Sequence, residues 1–321
     1  MVVIYFFKQK GLHVKRLILI LILIATLIPL AGCTKKLETD KKVAVKTDAY
    51  PMTLTDSKGR EVEIAAKPKR IVSLSPSNTE IIFALGAGDR LVGVTEYCNY
   101  PKEAKDIDKV GGFSDPNIER IVSLKPDIAF VAGSFQDETI TKLESLGITV
   151  FLVDAKSLTG VLENIETVGT ILGEMEMTVE VTGKMRAKIN DIESALKKAS
   201  GTPLVFFEIY KEPLMSAGPG TFIDDLIIRS KGKNAAGATK EEYPQFSTEK
   251  LIELDPDVYI AVTGSNSEPG NIKERPGWDT LKAVQNNRIS IVNDDLVSRP
   301  GPRIVNGYEL IAKAVHPEVF D

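Results

Sequence analysis

The sequence predicts an α/β protein, two parallel-sheet lobes bridged by one long α-helix, and three observations carry that expectation. A segment running from Asn117 to Val131 returns from Ser247 to Ala261. In each copy a capping residue (Asn117, Ser247) precedes a short amphipathic run. Pro126-Asp127 or Pro256-Asp257 then breaks it, and a β-branched and aromatic run follows. The flanks repeat in the same order: Leu143 to Gly147 leads into Ile148 to Val153, and Leu281 to Val284 leads into Ile289 to Val292. Between the copies, Leu158 to Ala199 carries a helical period, with Met185, Ile189, Ile192 and Leu196 on one face and Lys184, Arg186, Lys188 and Asp191 on the other. A doubled helix-turn-strand unit implies two similar lobes, and two lobes imply a cleft.

Taken in order, residues 1–32 read as an export signal: Lys8, Lys10, Lys15 and Arg16 precede an apolar run from Leu17 to Leu30 that closes on Ala31-Gly32-Cys33. The run is shorter than the ~20 residues of a membrane-spanning helix. The small residues before Cys33 resemble a bacterial lipobox, which implies cleavage there and a lipid on the Cys33 sulfur. An uncleaved anchor is the other reading, and either places the remaining chain outside the membrane. Residues 33–49 are polar and lack either secondary-structure period, so they read as a flexible tether.

An N-terminal lobe is expected over 50–156. Met52 to Ile64 alternates around Asp56-Ser57-Lys58-Gly59 as a hairpin. Ile71 to Leu74 is a strand, Ser77 to Glu80 fits a capping box, Ile81 to Leu85 is a helix, and Gly86 closes it. Leu91 to Thr95 is the next strand, and its end runs into Tyr97, Cys98 and Pro101. Ligands in open α/β sheets gather beyond the carboxyl ends of strands, so Tyr97 is expected at the cleft. Val110 to Pro116 is a loop holding one large aromatic, Phe113, which either packs the loop down or faces the cleft. The bridging helical segment covers 157–200, with a break near Gly173 and a stop at Ser200-Gly201-Thr202-Pro203. The C-terminal lobe, 201–321, opens with a strand at Pro203 to Phe207, a turn at Ser216 to Thr221 and a helix from Phe222 to Ile228. Glu241 to Phe246, with Tyr243, occupies the place before the Ser247 helix that the Phe113 loop holds before the Asn117 helix. Asn293 to Pro300 ends the last strand on the cleft side.

Composition narrows the function. Loss of residues 1–32 removes four basic and no acidic residues, which moves the formal net charge from −4 to −8. A chain this acidic is unsuited to nucleic acid. The two cysteines are Cys33 and Cys98, so a lipidated Cys33 leaves no internal disulfide. The histidines are His13, in the signal, and His316, expected at the surface; a histidine metal site and a Ser-His-Asp or Cys-His arrangement are disfavoured. No acid/base pair or nucleophile with a partner can be placed at one site, which sets an extracellular enzyme behind a binding protein.

Arg70 to Glu80, then Tyr97 to Pro101, then Asn117 to Arg120 with Lys125-Pro126-Asp127, resemble the solute-binding proteins of ABC importers for vitamin B12 and iron-siderophore complexes, from about Pro51 to the C-terminus. The resemblance implies a receptor that delivers its ligand to a permease dimer with its ATPase, as a monomer, with no catalytic residue and no resident metal or cofactor. It implies that Glu119 and Glu249 dock on permease arginines, although each is also the second residue of its helix, where the macrodipole favours an acid whatever its partners. It further implies ligand contacts from Tyr97, from Phe113 and Tyr243 where tryptophans are usual, and from the loop Asp295, Leu296, Val297, Ser298 and Arg299. Leu296 and Val297 replace two aromatics, which thins the apolar wall. A corrinoid (cobalamin or cobinamide) suits a broad apolar slot with few polar contacts. A ferric siderophore or haem is the alternative, but an anionic siderophore would want several cleft arginines and Arg299 is the one that can be placed.

Overall fold

The computed structural model describes residues 50–133, 136–264 and 269–320; Cys33 and the expected tether lie outside the described residues. Strands β1 (Met52–Thr55) and β2 (Glu61–Ile64) form the expected antiparallel hairpin, with Met52 opposite Ile64 and Gly59 supplying the positive φ of the turn. Four parallel strands make the first sheet: β3 (Ile71–Ser73), β4 (Leu91–Val94), β5 (Ile128–Val131) and β6 (Thr149–Leu152), in the spatial order β4-β3-β5-β6. Helices α1 (Pro76–Ala84), α2 (Ile118–Ser123) and α3 (Asp137–Ser145) connect them.

Helix α1 begins earlier than the capping box at Ser77 to Glu80 predicts. The Ser75 hydroxyl accepts the Asn78 N–H at 3.2 Å, and Pro76 takes the first helical position, where its missing N–H leaves nothing unsatisfied. Glu80 therefore has no capping role, and it sits buried one turn into the helix.

The bridging segment breaks where expected. Gly173, at φ +65°, ends α4 (Leu158–Leu172) in the left-handed region, and α5 (Met175–Leu196) packs back against it. A Cβ on Gly169 would stand 1.8 Å from the Thr178 hydroxyl, so only glycine lets the two helices approach this closely. The 22-residue α5 is about 33 Å long.

The second lobe holds β7 (Leu204–Tyr210), β8 (Met215–Ser216), α6 (Phe222–Arg229), β9 (Lys233–Asn234), α7 (Thr248–Leu254), β10 (Val258–Thr263), α8 (Lys282–Gln285), β11 (Ile289–Asn293), α9 (Asp294–Val297) and α10 (Ile304–Val315). Strands β7, β10 and β11 are parallel; β9 joins the outer side of β7, and β8 runs antiparallel to it.

The repeat extends to backbone detail. Asn117 caps α2 by accepting the Arg120 N–H at 2.8 Å, and Ser247 caps α7 by accepting that of Lys250 at 3.1 Å. Lys125 and Asp255, each just before a proline, both take positive φ (+49° and +44°). The aspartate after each proline then fixes the entry to the first strand of its sheet: Asp127 accepts the Arg70 N–H at 2.9 Å, and Asp257 that of Leu204 at 2.8 Å. Ile71 thus pairs with Ile128 as Val205 pairs with Val258. A short exposed side chain sets the strand register twice.

Alternate residues of each sheet feed different cores. Val72, Ala129 and Val150 face an outer cluster of the first lobe, and Phe206, Tyr259 and Ala261 one of the second. Ile71, Phe130 and Phe151 face the other way, as do Val205, Phe207 and Ile260, and both sets belong to one continuous core with Val161, Ile165, Met185 and Tyr308 from the helices. Helix α4 touches α1 on one side and α6 on the other, which ties the lobes through packed side chains. His316 corrects an expectation: it is 1% exposed rather than at the surface, because the end of α10 packs it inward, with Nδ1 2.9 Å from Glu318 Oε1.

Candidate ligand cleft

The carboxyl ends of the parallel strands of both lobes converge on one cleft of about 540 Å³, within the range of small-molecule sites. From the first lobe come Ser75 and Pro76 after β3, Tyr97 after β4, Ala132 and Gly133 after β5, and Asp154 and Ala155 after β6. Phe113 to Asp115 close that side. Facing them are Phe222 at the start of α6, Tyr243, and the loop after β11 with Asp294, Asp295, Ser298 and Arg299.

Six of the eight residues expected at a ligand site therefore line one cavity: Tyr97, Phe113, Tyr243, Asp295, Ser298 and Arg299. Two do not. Val297 is fully buried in the continuous core, and Leu296 is partly covered beside α10 and absent from the lining, because residues 294–297 coil into α9 and turn both side chains away from the cavity. The apolar wall is supplied instead by Phe222, Ala132 and Ala155, which sequence reasoning passed over.

Buried Gln136 positions the Phe113 loop. Its amide nitrogen donates to the carbonyls of Phe113 at 2.6 Å and Leu74 at 2.8 Å, while its oxygen accepts the Ala132 N–H at 3.0 Å. Tyr97 and Tyr243 remain 51% and 52% exposed, which leaves ring surface free for a ligand. Burial, then the neighbouring Glu242 and Asp154 carboxylates, push the Tyr243 hydroxyl above its ordinary range, so it stays a neutral hydrogen-bond donor.

The lobes are joined by ions at both flanks. On one side Lys156 pairs with Glu242. On the other Glu80, 3% exposed in the first lobe, receives two arginines from the second. Arg303 binds it twice, at 2.7 and 2.6 Å, and lies 3.8 Å over the Tyr100 ring; Arg299 reaches it at 3.1 Å. Arg299 is further held by Asn99 Oδ1 at 2.8 Å and Asp295 Oδ1 at 2.7 Å. Among the described residues the lining thus sets Asp115, Asp154, Asp294 and Asp295 against Arg299 alone, and that cation is already paired.

Cys98 is 1% exposed, with its sulfur 3.1 Å from the hydroxyls of Thr79 and Thr95; it faces the core and cannot reach a cleft ligand. Among the described residues, no group of three or more His, Cys, Asp or Glu could hold a metal ion. Glu119 and Glu249 stand exposed at the second positions of α2 and α7, and neither has an ion pair among the described residues. Its own N–H and the Ser247 side chain hold the Glu249 carboxyl below its ordinary range, so it is anionic at neutral pH.

The family model for periplasmic binding proteins matches residues 71–296. The ABC transporter substrate-binding lipoprotein YvrC of Bacillus subtilis is 35% identical over 306 residues, 93% of this chain and 96% of that protein. The vitamin B12-binding protein of Vibrio cholerae is 31% identical over 254 residues, 77% of this chain and 90% of that one. The solved structure of the periplasmic vitamin B12-binding protein from that organism superposes with a TM-score of 0.70 at 27% identity, covering 78% of this chain and 97% of that chain. The apo haem-binding protein RhuT from Roseiflexus gives 0.66 at 26% identity, covering 78% and 99%. The doubled lobes, the cleft at the strand ends and these matches together make the chain a member of the periplasmic binding protein family, an ABC-type solute-binding protein.

Proposed function

We propose that this chain is an extracytoplasmic lipoprotein that captures a corrinoid, cobalamin or cobinamide, in the cleft and delivers it to an ABC import permease. The observation that carries the reading is the grouping of Tyr97, Phe113, Phe222 and Tyr243 around a cavity whose single lining arginine among the described residues is already paired. A corrin ring edged with amides needs ring-sized apolar contact and neutral hydrogen-bond partners, which half-exposed tyrosines supply. Haem propionates and the acidic groups of many ferric siderophores want unpaired cations, and four lining aspartates oppose them. The vitamin B12-binding relatives agree with the corrinoid, and the haem-binding neighbour keeps haem as the competing ligand.

Calorimetric titration with cyanocobalamin, cobinamide, haem and a ferric siderophore tests the ligand. Both corrinoids are expected to bind at least about tenfold more tightly than the anionic chelates, about 1.4 kcal/mol; tighter binding of haem would overturn the assignment. In this reading Cys33 carries the lipid, Glu119 and Glu249 meet the permease, and the protein turns nothing over. Cys33→Ser is expected to move the protein from the membrane fraction into the soluble one, and an unchanged distribution would refute lipidation at that residue.

A further inference from the structure

Glu80 lies outside the cleft lining, yet its carboxylate meets both arginines that approach from the opposite lobe. A carboxylate this buried is retained at a cost unless it is paired, and here it is paired twice. Arg299, the sole lining cation among the described residues, spends both terminal nitrogens of its guanidinium on Glu80, Asn99, Asp295 and the Tyr97 carbonyl. We propose that Glu80 is the positioning residue that sets the charge selectivity of the cleft: by holding Arg299 it withdraws the one cation an anionic ligand could use. The inference rests on the corrinoid reading and adds to it that neutral and cationic corrinoids are chosen over equally shaped anionic ones.

The test uses two probes of the same shape, cyanocobalamin and its monocarboxylic acid, in which one peripheral propionamide is hydrolysed. The wild-type protein is expected to prefer the neutral parent. Glu80→Gln takes the buried carboxylate away from Arg299, which keeps Asn99 and Asp295, and leaves a net positive charge at the wall, so the preference should shrink by about fivefold, the effect of one charge across partly hydrated protein. Arg303→Gln leaves Glu80 in excess, and the preference should widen by a similar factor. A merely structural role would weaken both probes alike and leave the ratio unmoved. Equal wild-type affinity for the two probes, or variants that shift the ratio together or not at all, overturns the inference. Should Glu80→Gln fail to fold, Arg303→Gln decides alone by whether the preference widens. A wild-type protein that binds neither probe overturns the corrinoid reading itself, so the two failures are told apart.

Discussion

Reversing both exposed acids at the helix starts, Glu119→Arg with Glu249→Arg, is expected to abolish ligand uptake and leave ligand affinity unchanged. Both side chains are exposed, neither lines the cleft, and neither is held by an ion pair among the described residues. Each is carried by the same capped helix of a repeated unit, so the two lobes present matching anions. A contact with permease arginines would be lost and replaced by repulsion, which typically costs several kcal/mol for like charges brought together. Each acid also complements its helix dipole, worth about 0.3–1 kcal/mol. That contribution separates the explanations: Glu119→Gln with Glu249→Gln removes the dipole stabilisation without adding repulsion, and should lower thermal stability slightly while uptake falls only in part. Normal transport by the charge-reversed double variant, measured with labelled corrinoid in whole cells, would remove docking from the account.

Removing the two half-exposed rings is expected to have the next largest effect. A tyrosine laid against a ring-shaped ligand covers roughly 100 Å² of apolar surface, or about 2.5 kcal/mol. Tyr97→Ala or Tyr243→Ala should therefore weaken corrinoid binding by about tenfold to a hundredfold in calorimetry. Tyr97→Phe and Tyr243→Phe keep the surface and should recover most of it. The tyrosines belong to different lobes, so the double alanine variant tests whether the ligand touches both. A double loss equal to the larger of the two single losses, with the other single variant unaffected, would mean that it sits against one lobe only.

Much of this was legible in the sequence, and the rest was hidden for identifiable reasons. The lobes, strand ends and Tyr97 follow from local signals, the caps at Asn117 and Ser247, the Pro-Asp turns and the strand that runs into Tyr97, whereas Phe113 and Tyr243 reached the cleft through the family resemblance. Glu80 was misread because Ser77 to Glu80 carries a capping signature, while the real cap, Ser75, is followed by the proline that favours it. Its partners lie 219 and 223 residues away, where no local pattern can point to them. Val297 and His316 were misplaced for a related reason, since which face of a short helix or chain end is covered depends on what packs there; α10 and the shared core decide both.

The shared core bears on how a cargo leaves. Prising the lobes apart would wet side chains such as Val161 and Ile165 that belong to both halves, at about 25 cal/mol for each Å² uncovered. Wide spontaneous gaping is thus uphill, and with the proposed permease contacts at Glu119 and Glu249 unloading would draw its work from the transporter. In that proposed arrangement ATP hydrolysis would be felt here as leverage on a packed body, released through small local yielding of the cleft walls.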